Sequence, residues 1–170
     1  MDEEQDLWLP ELIYPDVPGQ IDDAYLDRLY AVFERDFVLS KPEWPDLRFS
    51  VTMRPNHMGW PSTFWHIISE GPDEESRRLN IDRCARIAWP LKLIKEFILV
   101  YPENTSSRIR WWETSRGKDR RLLISTADHA YVVVVAFRRT HAHLITAYPA
   151  YPHTVNHFSH QWRNYIAKNG

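Results

Sequence analysis

Between residues 108 and 149 the chain holds four short apolar stretches joined by very short links. Arg108 to Glu113, Arg121 to Thr126, Ala130 to Arg138 and His141 to Pro149 have the length and residue choice of strands. The links are Arg116-Gly117-Lys118-Asp119, Ala127-Asp128 and Arg139-Thr140. Links this short force antiparallel neighbours, because a parallel crossover needs about a dozen residues or more. Tyr131 to Phe137 is apolar without interruption, as a central strand covered on both faces should be.

The rest of the chain arranges itself around that meander. Ile21 to Phe37 carries Ile21, Tyr25, Leu26, Leu29, Val32 and Phe33 at helical spacing, with Asp22 or Asp23 at the start. Leu47 to Met53 reads as a short edge strand stopped by Pro55. Phe64 to Ile68 reads as a buried strand, and Asp73 to Asn80 as a charged, exposed segment. A long helical stripe runs from Ile81 to about Val100, with a kink or break expected at Trp89 because of Pro90. Val155 to Lys168 returns to helical spacing. The expected class is α+β: N-terminal helices packed on an antiparallel sheet of four strands or slightly more, closed by a C-terminal helix. The 170 residues suit one domain with an arm. Residues 1–20, with Pro10, Pro15 and Pro18, form an extended acidic arm. Residues 21–170 form one domain, with a helix and linker over 21–55 and the core over 56–170.

Composition removes several classes of function. Aromatics at 14%, with eight Trp, are too many for a disordered chain. No apolar run reaches membrane-spanning length, and the segment after Met1 is acidic, unlike a signal peptide. Cys84 is the single cysteine, which excludes a disulfide framework and a cysteine-built zinc site and makes the cytoplasm the expected compartment. Five scattered glycines provide neither a phosphate-binding loop nor a dinucleotide fingerprint. His141 with His143, and His153, His157 and His160, have ligand-like spacings but few carboxylates nearby. No metal and no cofactor are expected.

Charge is unevenly distributed. Residues 1–40 hold eleven Asp/Glu against two Arg, whereas residues 41–170 hold nineteen Lys/Arg against twelve Asp/Glu. A basic body suits a polyanionic ligand, while an acidic head either faces water or covers the basic surface. Arg83 and Arg86, three apart, share a helix face that Arg77, Arg78 and Lys92 extend. Arg108, Arg110, Arg120, Arg121, Arg138 and Arg139 lie on the strands and their ends. Arginine holds phosphate through its planar fork of donors. Trp60, Trp65, Trp111, Trp112, Tyr148 and Tyr151 are interleaved with these cations as stacking platforms, although Trp65, Trp89 and one of Trp111 and Trp112 are expected in the core. Strict alternation places Leu144, Thr146 and Tyr148 on one strand face. A hydroxyl beside a phenol can hold a phosphate or move a proton, and both residues are also plain strand formers.

The order Phe64-Trp65-His66-Ile67, Arg83-Cys84-Ala85-Arg86-Ile87-Ala88-Trp89, Ile109 to Glu113, Val132 to Val135 with Arg138, and Leu144-Ile145-Thr146-Ala147-Tyr148 resembles the barnase–EndoU–colicin–RelE-like superfamily of small ribonucleases, in its phage- and mobile-element-associated branch. The resemblance covers roughly residues 60–165. It implies a metal-independent ribonuclease acting as a toxin on tRNA or mRNA, with a neutralising antitoxin or immunity protein as a possible partner. Some members of the superfamily are not catalytic, which keeps an RNA- or protein-binding module as the alternative. The resemblance nominates His66 as acid or base, with His57, His141 and His157 as competitors. It nominates Arg83, Arg86 and Arg138 for the phosphate, and Thr146 and Tyr148 for the scissile site. Arg78, Lys92, Arg108, Arg110, Trp112, Arg121 and Arg139 would then bind the RNA around it.

Overall fold

A computed structural model of the protein describes residues 8–169. In chain order the elements are α1 (Asp23–Phe37), β1 (Arg48–Ser50), α2 (Ser62–Ile68), β2 (Ser69–Glu70), β3 (Arg78–Leu79), α3 (Ile81–Ala85), α4 (Trp89–Val100), β4 (Ile109–Arg116), β5 (Asp119–Thr126), β6 (Tyr131–Phe137), β7 (His141–Pro149) and α5 (Pro152–Asn169). β4 to β7 form the expected antiparallel meander, and β1 adds a fifth strand, parallel to β7. The sheet order is β1-β7-β6-β5-β4, so β6 lies at its centre. Gly117 turns β4 into β5 with φ 62°, a conformation that suits a residue without Cβ.

Strand alternation sorts the apolar residues onto two faces. Leu122, Ile124, Val133, Val135 and Leu144 face the larger core, together with Phe33 and Phe37 of α1, Phe64 and Ile67 of α2, and Phe97 of α4. Trp112, Leu123, Val132 and Val134 face the other side, where α5 covers them with Phe158 and Trp162. Trp111 and Trp112 are therefore both buried, one in each layer.

Two local expectations need correction, and a third is met. Phe64 to Ile68 is a helix: Pro61 stands at the N-cap of α2, and Phe64, Trp65, Ile67 and Ile68 are all buried, with only His66 facing outward, so the run shows no helical periodicity. The break expected at Trp89 is present: the pattern from Ile81 to Val100 is two helices, with Pro90 in the first turn of α4, where its missing N–H costs nothing. In β7 the register slips: Thr146 pairs with Val134, but Leu144 pairs with Val135, leaving Ile145 as a bulge. Leu144 is therefore in the large core, while Thr146 and Tyr148 stand opposite Val134 and Val132.

The segment before α1 is fastened to the body. The Trp89 indole donates to the Pro10 carbonyl at 2.9 Å, and the Tyr25 hydroxyl donates to the Ile13 carbonyl at 2.7 Å. Among the described residues no helix is long and apolar enough to cross a membrane.

Candidate active site

β1 covers the outer edge of β7 only over His141 to His143. Beyond that point α2 and α3 pack against β7, and this is where separated parts of the chain meet. A helix ends with carbonyls that lack intrahelical donors. In α2 those groups are met by side chains from three later segments. The His66 carbonyl accepts from Arg83 Nη1 at 3.0 Å, Arg77 Nη2 at 3.2 Å and Thr146 Oγ1 at 2.9 Å. The Ser69 carbonyl accepts from the same two guanidinium nitrogens, both at 2.6 Å. Arg77 Nε also donates to Ser69 Oγ at 3.0 Å. Gly71 makes this possible: a Cβ there would lie 2.8 Å from Arg77 Cα, so any side chain would push the Arg77 segment away.

The two guanidiniums sit side by side, partly buried, and neither forms a salt bridge among the described residues. Burial lowers the pKa of each, and the like charge of Arg77 lowers Arg83 further; Glu70 opposes the shift in both cases. The Arg83 guanidinium lies over the Tyr148 ring, 5.0 Å from its centroid. Burial raises the Tyr148 phenol pKa, with Arg83 and then Arg121 opposing. Glu70 accepts from the Tyr151 hydroxyl at 3.0 Å and from Asn80 Nδ2 at 3.0 Å. On the outer side of α2 the His66 imidazole is paired through Nε2 with the Glu74 carboxylate. The arrangement combines two forked cations with donors to spare and a phenol around the His66 main-chain carbonyl, while the His66 imidazole, backed by the Glu74 carboxylate, stands on the outer side of the same short helix. That set can move a proton and hold an oxyanion.

Of the residues nominated from sequence, Arg83, Thr146 and Tyr148 come together, and His66 joins them through its main-chain carbonyl rather than its imidazole. Arg86 does not join them. α3 ends at Ala85, Arg86 is its C-cap with φ −101° and ψ 22°, and so the helix face shared with Arg83 stops one residue too early. Its guanidinium lies over Trp89 and donates to the Asp82 carbonyl at 2.9 Å. Arg138 follows β6 at the far end of β7, about 20 Å from Tyr148 at roughly 3.3 Å per residue, and is paired with Asp119 at 2.6 Å.

The nominated RNA-binding residues are dispersed. Arg78 and Lys92 are exposed on β3 and α4. Arg108 pairs with Glu96 at 3.5 Å, and Arg110 lies over the Trp162 ring at 4.5 Å. Arg121 pairs with Asp119 at 3.2 Å, and Arg139 is exposed in the β6–β7 turn. Trp112 is not a platform: it is fully buried and its indole donates to Gln161 Oε1 at 2.9 Å. Arg77, expected only to extend the cationic face of Arg83, and Glu74, in the segment expected to be exposed, are the further participants. Among the competing histidines, His57 stands edge-on to Trp65, His141 meets the Thr140 hydroxyl, and His157 is exposed on α5.

Two other reactive groups play structural parts. Cys84 is buried, which pushes its thiol up to about 12, far from a working nucleophile. His143 links β1 to β7 through Ser50 Oγ at 2.8 Å and Thr52 Oγ1 at 3.0 Å. Among the described residues no three His, Cys, Asp or Glu side chains gather as a metal-ligand set. Compared with family models, curated proteins and solved structures, the chain matches none.

Proposed function

We propose that the protein is a metal-independent endoribonuclease of the superfamily it resembles, acting as a toxin or mobile-element effector on tRNA or mRNA in the cytoplasm. The observation that supports this reading is the gathering of Arg83, Thr146 and Tyr148 at the His66 carbonyl, where α2 and α3 pack against β7, with the His66 imidazole paired to Glu74 on the same short helix. The ribose 2′ oxygen attacks the adjacent phosphorus while His66 removes its proton. The bond from phosphorus to the 5′ oxygen breaks, and Tyr148 supplies the proton to that leaving oxygen. The products are a 2′,3′-cyclic phosphate and a 5′-hydroxyl. Arg83 and Arg77 hold the doubly charged phosphorane with the N–H groups not committed to carbonyls, which is usually the largest contribution in such chemistry. Thr146 fixes the His66 main chain.

The test is cleavage of tRNA and a long mRNA in EDTA, with end-group analysis. Cyclic phosphate ends are expected, and H66A should lose about 10²–10⁴-fold in rate. Intact RNA after incubation with stoichiometric, folded protein would overturn the reading.

One observation favours a second reading, a non-catalytic RNA-binding module. Arg77 and Arg83 already cap the end of α2, a role complete without a substrate. A binding module keeps its RNA affinity and its biological effect in H66A, whereas the nuclease keeps affinity and loses the effect.

A further inference from the structure

At the end of the sheet away from the β7 edge site lies a cavity of about 550 Å³, a size that suits a small ligand. The loop at Trp44 to Leu47, the end of α4 and the β4–β5 and β6–β7 turns enclose it. Its floor is aromatic. Phe97 lies 5.2 Å from Trp44 and 5.4 Å from Trp111, centroid to centroid, and Tyr101 is half exposed beside them. Its rim is cationic: Lys118, Arg120, Arg138 and Arg139 stand against the carboxylates of Asp46 and Glu113. Arg120 is paired with Glu113 and lies over Phe137 at 4.7 Å, while Arg138 is paired with Asp119. Lys118 and Arg139 are exposed and have no carboxylate partner among the described residues.

We propose that this cavity binds a nucleotide, its base on the aromatic floor and its phosphate on Lys118 and Arg139. Aromatic rings beneath planar guanidiniums take a base from either side, and stacking accepts any base because every base has a π face. Asp46 and Glu113 accept hydrogen bonds from ribose hydroxyls or exocyclic amines. The same two carboxylates disfavour an acidic protein as the occupant. The ligand is a free mononucleotide or one residue of an RNA strand. In the second case the cavity anchors the substrate about 20 Å from the cleavage edge, at roughly 3.3 Å per strand residue, and this part rests on the nuclease reading.

The test uses the full chain in its H66A form, so that RNA survives the measurement. Calorimetric titrations at low salt with AMP, adenosine, inorganic phosphate and a single-stranded RNA oligonucleotide are compared with the same titrations of H66A carrying K118E and R139E. AMP should bind more tightly than adenosine or phosphate. The charge reversals should weaken AMP and RNA by at least about tenfold, the scale of one charged phosphate contact or stacked base. Both substituted side chains are exposed, so the thermal midpoint should not change. Competition between AMP and the oligonucleotide assigns the cavity to a residue of the strand, and AMP binding without competition assigns it to the free nucleotide. Equal affinity of the two proteins, absence of binding by both AMP and RNA, or phosphate binding as tightly as AMP would overturn the proposal. If wild-type protein leaves RNA intact while AMP binding follows Lys118 and Arg139, the nuclease reading falls and the cavity stands. If it cleaves RNA while the charge reversals change nothing, the cavity falls alone.

Discussion

Trp111 and Trp112 are adjacent in sequence and belong to different hydrophobic layers. That separation decides what a substitution at Trp112 does. The ring is fully buried between the sheet and α5, packed on Phe158 at 5.5 Å and on the edge of His129. W112A should therefore cost about 3–5 kcal/mol of stability, read as a lower urea midpoint with an unchanged slope. A surface platform would lose RNA affinity at constant stability instead. Arg83 presents the opposite combination, a structural cap with chemistry left over. R83A removes a charged donor from the carbonyls that end α2, while Arg77 and Thr146 remain to serve them. A loss of about 1–2 kcal/mol in stability is expected, with a fall of about 10²–10³-fold in the cleavage rate. R83K keeps the charge but not the fork, and should recover more stability than rate.

At the scale of elements, β1 is held to β7 by only three residue pairs and by His143 between Ser50 and Thr52. Burial, then Arg138 and His141, lowers the His143 pKa below its ordinary 6.5. The unfolded chain therefore takes up this proton at a higher pH than the folded chain does. Stability is complete above about 6.5 and falls as the pH drops through that value. His129 adds to the effect, its pKa lowered by burial and then Arg110, against Asp128. Melting at pH 7.5 and 5.5 should show the loss, and H143Q should flatten part of it. The elements also mark where the sequence was readable. The meander was legible because Gly117, Ala127-Asp128 and Arg139-Thr140 leave no room for another connection. The Phe64–Ile68 helix was not, because four buried apolar residues interrupted only by His66 carry neither period. Arg77 was misread as solvent-facing because its partners are main-chain carbonyls, which residue types do not announce. Naming His66 and Thr146 together rested on the resemblance alone, since no spacing rule spans eighty residues. The exclusion of Arg138, by contrast, was available in advance: it precedes the strand on which Tyr148 comes nearly last.

Across the whole molecule, α1, which lies within the acidic first forty residues, is structural as well as charged. Tyr25, Leu29, Phe33 and Phe37 are each at most 1% exposed in the large core. Deleting residues 1–40 should abolish cooperative unfolding and leave insoluble protein, so any shielding by the acidic head has to be probed by exposed charge changes. The first strand of the sheet pairs with the last. Arg48 to Ser50 meet His141 to His143, and the aromatic side chains of α1 and α2 rest on strands that come after residue 108. Domains assemble as synthesis proceeds from the N-terminus, and contacts distant in sequence close late. A ribosome making this chain must release Thr146 and Tyr148 before the early helices have a surface to rest on. Until then the emerging polypeptide carries His66 and Arg83 with no strand beside them, and it exposes Phe33, Phe37 and Phe49 to whatever chaperone waits at the exit.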